Sequence, residues 1–446
     1  MGENNIAYKR YTLLYLVFLV VLSLFEPAYA QQIVVDGKTA TVVTKSGSVT
    51  DVSTTTVKNK NAFNSFEKFN VKSGQKVNLH LPDKADNLIN LVHSEKSVIN
   101  GTLNSIKNNQ VGGNVYLVNP HGVTVGPEGT VNVGSLTAIT PTKEYMNSFF
   151  TSPGNPNTGS VESLLNGTAP INPEASIEVQ GNIYAIENVK LDTGSVVNTG
   201  NIRAGPEARE HILSTEDIVN TGGYENSTIT QNSQGEIIIK AQKDILNNGL
   251  VSVNGIDNNN AGNITITAKG DITLEKDSYI AARGQGENSS GGDIYIFADD
   301  TASFDSGAII DFRGGDISGD GGFAELSAAK HVLLNGGTFL GKAVNGINGS
   351  ALIDPPDLTI SNDETSDGAN LTFQADDWIL VESGVTISSR NISGSDHLTD
   401  PSQGNSGSIT FDTQDLTIQS GSYILSFADG GYDAGEIHFL CDTLSL

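Results

Sequence analysis

The strongest constraint on the fold is a set of apolar columns that recur in phase along the chain. Each copy reads glycine, short alternating strand, polar turn, second strand, turn, third strand. Gly262-Asn263-Ile264-Thr265-Ile266-Thr267-Ala268 is followed by Asp271-Ile272-Thr273-Leu274, and Gly292-Asp293-Ile294-Tyr295-Ile296-Phe297-Ala298 opens the next copy. Aligned on the first inward position, the copies give Ile264, Ile294, Ala324, Leu371, Ile409 and Ile437, at steps of 30, 30, 47, 38 and 28 residues. Two places on stand Ile266, Ile296, Leu326, Phe373, Phe411 and Phe439. Four places on stand Ala268, Ala298, Ala328, Ala375, Thr413 and Cys441. In-phase columns at a period of roughly 20–50 residues signal a solenoid.

The strands favour Ile, Val, Phe and Thr in alternation, and no long stretch has helical periodicity. The expected fold is all-β, a right-handed parallel β-helix whose coils stack about 4.8 Å apart. At roughly 22 residues per coil the chain would form on the order of 19 coils, roughly 90 Å in length. The 49 glycines and 43 asparagines are expected at coil corners, where left-handed backbone angles are tolerated. The 47-residue step is read as a long insertion over 343–369, with its own strand at Leu358-Thr359-Ile360. Residues 61–150 do not follow the repeat closely. Residues 141–170 carry Pro141, Pro153, Pro156 and Pro170 and are expected to form an extrahelical excursion. The last repeat stops at Leu446 without the cap that solenoids need. The expectation is therefore a fragment or truncated form of a longer protein.

The first thirty residues read as an address. Lys9 and Arg10 precede an apolar run from Tyr11 to Phe25, and Ala28-Tyr29-Ala30 offers small residues to a signal peptidase, with cleavage before Gln31. This is the pattern of a secretory signal. Its run of about 15 apolar residues is short for a membrane span of about 20. The leader holds two acids and two bases, so the formal charge of -26, from 51 acidic and 25 basic side chains, survives its removal. Such a charge argues against nucleic acid as a partner. One cysteine excludes a disulfide scaffold and a cysteine zinc site.

The N-terminal block carries a family resemblance. Its residues are Asn61-Ala62-Phe63-Asn64-Ser65-Phe66-Glu67-Lys68-Phe69-Asn70-Val71, then Gly112-Gly113-Asn114-Val115-Tyr116-Leu117-Val118-Asn119-Pro120-His121-Gly122-Val123-Thr124-Val125-Gly126, then Val131-Asn132-Val133-Gly134-Ser135-Leu136-Thr137-Ala138. Over roughly residues 31–200 the chain resembles the secretion domain of two-partner-secretion exoproteins of the filamentous haemagglutinin type. In that family the middle run usually reads Asn-Pro-Asn-Gly, and here His121 replaces the second Asn. Thr140 to Phe150 resembles a subgroup of leukotoxin-type filamentous adhesins. The resemblance implies a signal peptide (1–30), a secretion domain (31–200) and β-helical repeats (201–446). It implies export through the periplasm of a Gram-negative bacterium, by an outer-membrane β-barrel transporter with periplasmic docking domains. It also implies a secreted or surface-exposed filamentous adhesin. Its targets would be receptors or glycans on host-cell or bacterial surfaces. The candidate secretion motif is Asn119, Pro120, His121, Gly122, Gly126, Asn132 and Gly134. Pro120 and Gly122 read as turn formers, which serve either coil register or direct transporter contact.

No catalytic constellation stands out, and the chain is expected to be no enzyme and to need no cofactor or metal. Asp299-Asp300 and Asp376-Asp377 could form acid/base pairs, but they follow repeat position as corner residues would. Asp311, Asp316 and Asp320 in a Gly-rich stretch weakly resemble calcium-binding repeats. The seven histidines, His80, His93, His121, His211, His331, His397 and His438, have no metal-ligand spacing. Cys441 falls in the small-residue column. Two alternatives remain open: a β-helical carbohydrate-active enzyme, or the stalk of a delivered toxin whose effector lies beyond Leu446. Asn226, Asn263, Asn288, Asn370 and Asn391 begin glycosylation sequons that nothing selects.

Overall fold

The computed structural model describes residues 32–214, 234–392, 400 and 402–446. The leader, with Ala28, Ala30 and Gln31, lies outside these residues, as do Asn226 and His397. Among the described residues the chain winds into a parallel β-helix, the fold class its columns predict. Each coil gives one strand to each of three long sheets. In one coil these are Asn263–Ala268 in sheet I, Ile272–Leu274 in sheet II and Tyr279–Ala281 in sheet III. Sheets I and III have 15 strands each and sheet II has 12. At the N-terminal end the pattern turns antiparallel. Ile33–Val35 pairs with Asn61–Phe69, and Thr41–Ser46 pairs with Val49–Thr54.

The inward column of sheet I is longer than the repeats reveal. It runs through Ala62, Leu88, Val115, Leu136, Val189, Ile237, Ile264, Ile294, Ala324, Ala351, Leu371, Ile409 and Ile437. This corrects two expectations, the long insertion and the coil count, and carries the column into the N-terminal block. The 47-residue step is not one insertion but a complete extra rung, because Ser350–Asp354 pairs with both Phe323–Ala328 and Asn370–Gln374. Residues 61–139 belong to the helix. The stack has thirteen rungs in this column rather than 19 coils, so its height is roughly 60 Å at about 4.8 Å per rung. Most rungs are 26–30 residues apart rather than roughly 22, and the longest steps run from Leu136 to Val189 and from Val189 to Ile237.

Why the N-terminal coils escape the pattern is visible in their side chains. Asn64 and Asn90 stand where later coils have Leu117, Leu191 and Ile239. Both are fully buried. Asn64 Nδ2 donates to Asn90 Oδ1 at 2.9 Å, and Asn90 Nδ2 donates to the Tyr116 carbonyl at 3.1 Å. Stacked rungs place like amides one above another, so each satisfies the next. Further amide ladders run Asn61–Asn87–Asn114 and Asp51–Asn78–Asn104–Asn132. Asparagine thus serves as a ladder residue as well as a corner residue. Among the described residues only Asn59, Asn108 and Asn109 of the asparagines take positive φ.

Glycine marks corners, for lack of space more than for backbone angle. A Cβ on Gly262 would lie 2.0 Å from Gly235 O, one on Gly292 1.9 Å from Gly262 O, and one on Gly322 2.0 Å from Gly292 O. The excursion over 141–170 is folded: helix α1 (Lys143–Ser148), a hairpin (Phe150–Ser152 with Asn155–Pro156) and helix α2 (Thr158–Leu165). Its Tyr145, Met146, Phe149, Val161 and Leu164 cover the outward face of sheet I at Phe63, Ile89, Leu91, Val118 and Ile139. Asn157 caps α2 by accepting from Gly159 N and Ser160 N. Helix α3 (Pro206–Ser214) lays Ala208 and Ile212 on Tyr184 and Ile186 outside sheet III.

An inward position of sheet III breaks the apolar rule with an ionisable group. Glu364 is 1% exposed, with Ile387 as its partner on the next rung. Gly336 N donates to its Oε1 at 3.2 Å, and its Oε2 has no partner among the described residues. Burial, with Asp363 nearby, pushes this carboxyl well above the usual range. A folded-state pKa above the unfolded one gives stability that is fully present below the unfolded value of 4.5 and is lost as pH rises. Glu364→Gln is therefore expected to be about 1–3 kcal/mol more stable than wild type at pH 8, with the gain vanishing toward pH 4. Urea titrations at the two pH values measure it.

Candidate secretion motif

The motif Asn119 to Gly122 is the corner between strand Asn114–Val118 of sheet I and strand Val123–Val125 of sheet II. Asn119 is fully buried and holds the corner from inside. Its Nδ2 donates to the Glu95 carbonyl at 2.9 Å and to Ser97 Oγ at 3.0 Å. Its Oδ1 accepts from His121 N at 2.9 Å. Gly122 N returns to the Asn119 carbonyl at 3.2 Å, closing the turn that Pro120 begins. Gly122 has φ of +103°, and a Cβ there would meet Ser176 O at 2.5 Å. Asn172 Nδ2 donates to the Pro120 carbonyl at 2.7 Å, tying the end of the excursion to the turn.

The remaining motif residues lie elsewhere on the same coil. Gly126 is at the next corner, where a Cβ would strike Asn100 Oδ1 at 1.7 Å. Asn132 is on the outward face of sheet III and ends the ladder through Asn104, at 3.0 Å. Gly134 is at the third corner, against the backbone of Gly113. The seven residues therefore encircle one coil and do not converge on a pocket. Asn119, Pro120, Gly122, Gly126, Asn132 and Gly134 are buried, and only His121 is half-exposed.

His121 leads to a cluster that sequence reading missed. Its Nε2 lies 3.1 Å from the His93 carbonyl. The His93 ring meets Ser65 Oγ at 3.2 Å and Asp36 at 3.5 Å, while Ser65 Oγ donates to Asp36 Oδ2 at 2.7 Å. Lys38 Nζ is 3.4 Å from the same His93 nitrogen. Burial, then Lys38, lowers the His93 pKa. Serine and aspartate both approach one ring nitrogen, so this is no relay in which the acid orients the base from the far side. It latches the antiparallel N-terminal strands to the first coils. Beside it, sheet II begins only at Ser97–Ile99, with Val71 making an isolated bridge to Ile99.

The acidic candidates are spread out. Asp299, Asp376 and Asp377 are exposed at corners. Asp300 pairs with Lys330 at 2.8 Å, and that hydrogen bond holds its carboxyl below the usual range. Asp311 is fully buried and takes two bonds from Arg313, at 2.9 and 2.6 Å, and one from Tyr279 OH at 2.6 Å. Asp316 turns to Arg283 at 2.9 Å, and Asp320 accepts from Ile347 N at 2.8 Å. Asp311 and Asp316 are thus already engaged by arginines. Cys441 is half-buried against the core.

A long parallel β-helix with an antiparallel N-terminal end and a folded excursion on one face defines a β-solenoid module. The family model described as the TPS secretion domain matches residues 31–296, and the chain belongs to that family. It is thus a two-partner-secretion substrate, exported by a Gram-negative system through an outer-membrane transporter partner. The chain is also similar to the crystal structure of the HMW1 secretion domain from Haemophilus influenzae. The two share 17% identity with a TM-score of 0.44, over 92% of this chain and 99% of that chain. No curated protein matches it. The matched span runs past residue 200, and so do the sheets: Asn201–Ala204 pairs on to Leu250–Ser252.

Proposed function

We propose that residues 31–200 hold the export signal of a filamentous adhesin. The coil ringed by the Asn119–Gly122 turn would start ordered winding once the chain emerges. The observation that carries this is the burial of the motif. Six of its seven residues are sealed inside the folded coil, where a partner cannot touch them. A transporter that reads them therefore reads the unfolded chain, and their folded role is to set register. Each later coil adds to the one before it through neighbour contacts alone, which suits growth from one end. The repeats then form an elongated stalk with no enzymatic role, whose adhesive surface faces host-cell or bacterial targets. The likeness of Thr140 to Phe150 to leukotoxin-type adhesins supports this reading. That segment builds α1 and packs Tyr145, Met146 and Phe149 onto sheet I.

The test is export. Deleting residues 31–200 while keeping the leader is expected to abolish appearance in the medium of cells carrying the transporter. Unchanged export would overturn the assignment. Adhesion is tested separately, by attachment of cells that display the chain.

A further inference from the structure

We propose that the open part of sheet I around Tyr295, Phe297 and Phe323 binds a neutral polysaccharide chain. The outward face of this sheet is covered in the N-terminal coils by the excursion. Farther along, no described residue covers it. Tyr295 and Phe297 are each 40% exposed on this outward face. Tyr295 and Phe323 stand on adjacent rungs with ring centroids 5.7 Å apart, and Leu352 follows on the rung beyond. An exposed apolar cluster of this kind marks an interaction surface.

The arrangement selects the occupant. A hexopyranose offers an apolar C–H face and a rim of hydroxyls, and aromatic rings bury the former. Rungs rise about 4.8 Å, close to the length of one sugar unit, so rings on successive rungs meet successive sugars. Asp293 and Glu325 flank the rings on the same face. Glu325 Oε1 accepts from Ser327 Oγ at 2.8 Å, and its other oxygen can accept from hydroxyls. The carboxylates, on a chain of formal charge -26, disfavour both an anionic glycan and a second copy of the chain. The site rests on the adhesin reading for its purpose but not for its existence.

Isothermal titration of the purified chain with cellohexaose, chitohexaose and hyaluronan hexasaccharide tests it. At least one neutral oligosaccharide is expected to bind, and the hyaluronan fragment at least tenfold more weakly. The double variant Tyr295→Thr, Phe297→Thr should lose at least tenfold in affinity. Threonine already occupies both positions on the preceding rung, at Thr265 and Thr267, so the sheet is retained. Leu333→Ala, which removes an exposed leucine on sheet II, should bind as wild type. The proposal fails if no neutral oligosaccharide binds, if the threonine variant binds as wild type, if Leu333→Ala loses as much, or if hyaluronan binds equally. Cell attachment separates the two readings. Attachment that survives the threonine variant leaves the adhesin reading standing on another surface. Glycan binding without attachment overturns that reading and leaves this site.

Discussion

Gly292→Val is expected to cost about 4 kcal/mol or more and to break the stack in two. A Cβ at this position would lie 1.9 Å from Gly262 O, a backbone atom that cannot swing aside. The same contact recurs one rung on, where a Cβ on Gly322 would lie 2.0 Å from Gly292 O. Moving either backbone would pull apart strands that share parallel pairing with both neighbours. Ordinary overpacking costs about 1–3 kcal/mol because side chains can shift; here the obstacle is the main chain of Ala261 and Gly262. Solenoid stability is a sum over neighbouring interfaces. One ruined interface should therefore uncouple the coils before Gly292 from those after it. A single urea transition should become two, read by far-ultraviolet circular dichroism. Gly159→Ala is the contrast. It lies in α2, and its Cβ would meet only Asn157 Oδ1, at 3.5 Å. It should stabilise by up to about 1 kcal/mol. A single unshifted transition for Gly292→Val would show that the glycine ladder does not set the stack.

How much of this was legible depends on what fills a column. From Ile237 onward the inward residues are Ile, Leu, Phe and Ala, and alternation alone places them. The rung at Ser350–Asp354 hid because Pro355 occupies the place of Ala328 and Ala375. Its spacing also slips, with 27 residues before it and 20 after. The N-terminal coils hid for a different reason. Buried amides at Asn64 and Asn90 satisfy one another only because rungs stack, and a one-dimensional pattern of apolar residues cannot show that. Asparagine content therefore pointed to corners, where many asparagines do stand, and gave no sign of the ladders. The motif residues were legible as turn formers, since Pro120 and Gly122 do take turn positions. Their burial was not, because it comes from neighbouring rungs, at Glu95, Ser97, Asn100, Asn104, Gly113 and Ser176. The Asp36, Ser65 and His93 cluster left no local signal, since its members are drawn from three separate strands or turns.

The seal around the motif makes a second large effect predictable, and separates folding from recognition. Asn119→Ala removes two donated bonds and one accepted bond from a side chain with no exposure. It leaves the Glu95 carbonyl and His121 N without these partners in a buried corner. Losses of that kind cost about 1–3 kcal/mol for each stranded group, so a total of about 3 kcal/mol is expected. Asn119→Asp should be no milder. It keeps an acceptor for His121 N but turns a carboxylate toward the Glu95 carbonyl oxygen. His121→Asn, which installs the residue usual in the family, loses only the contact to the His93 carbonyl at 3.1 Å and should fall within about 1 kcal/mol of wild type. If the corner serves export by folding, the exported fraction will follow this order of stabilities, with Asn119→Ala low and His121→Asn near wild type. If the transporter instead grips the half-exposed His121, then His121→Ala will cut export while the urea midpoint stays put. Measuring both quantities on the same variants decides it, because stability and contact place their largest losses on different residues of one turn.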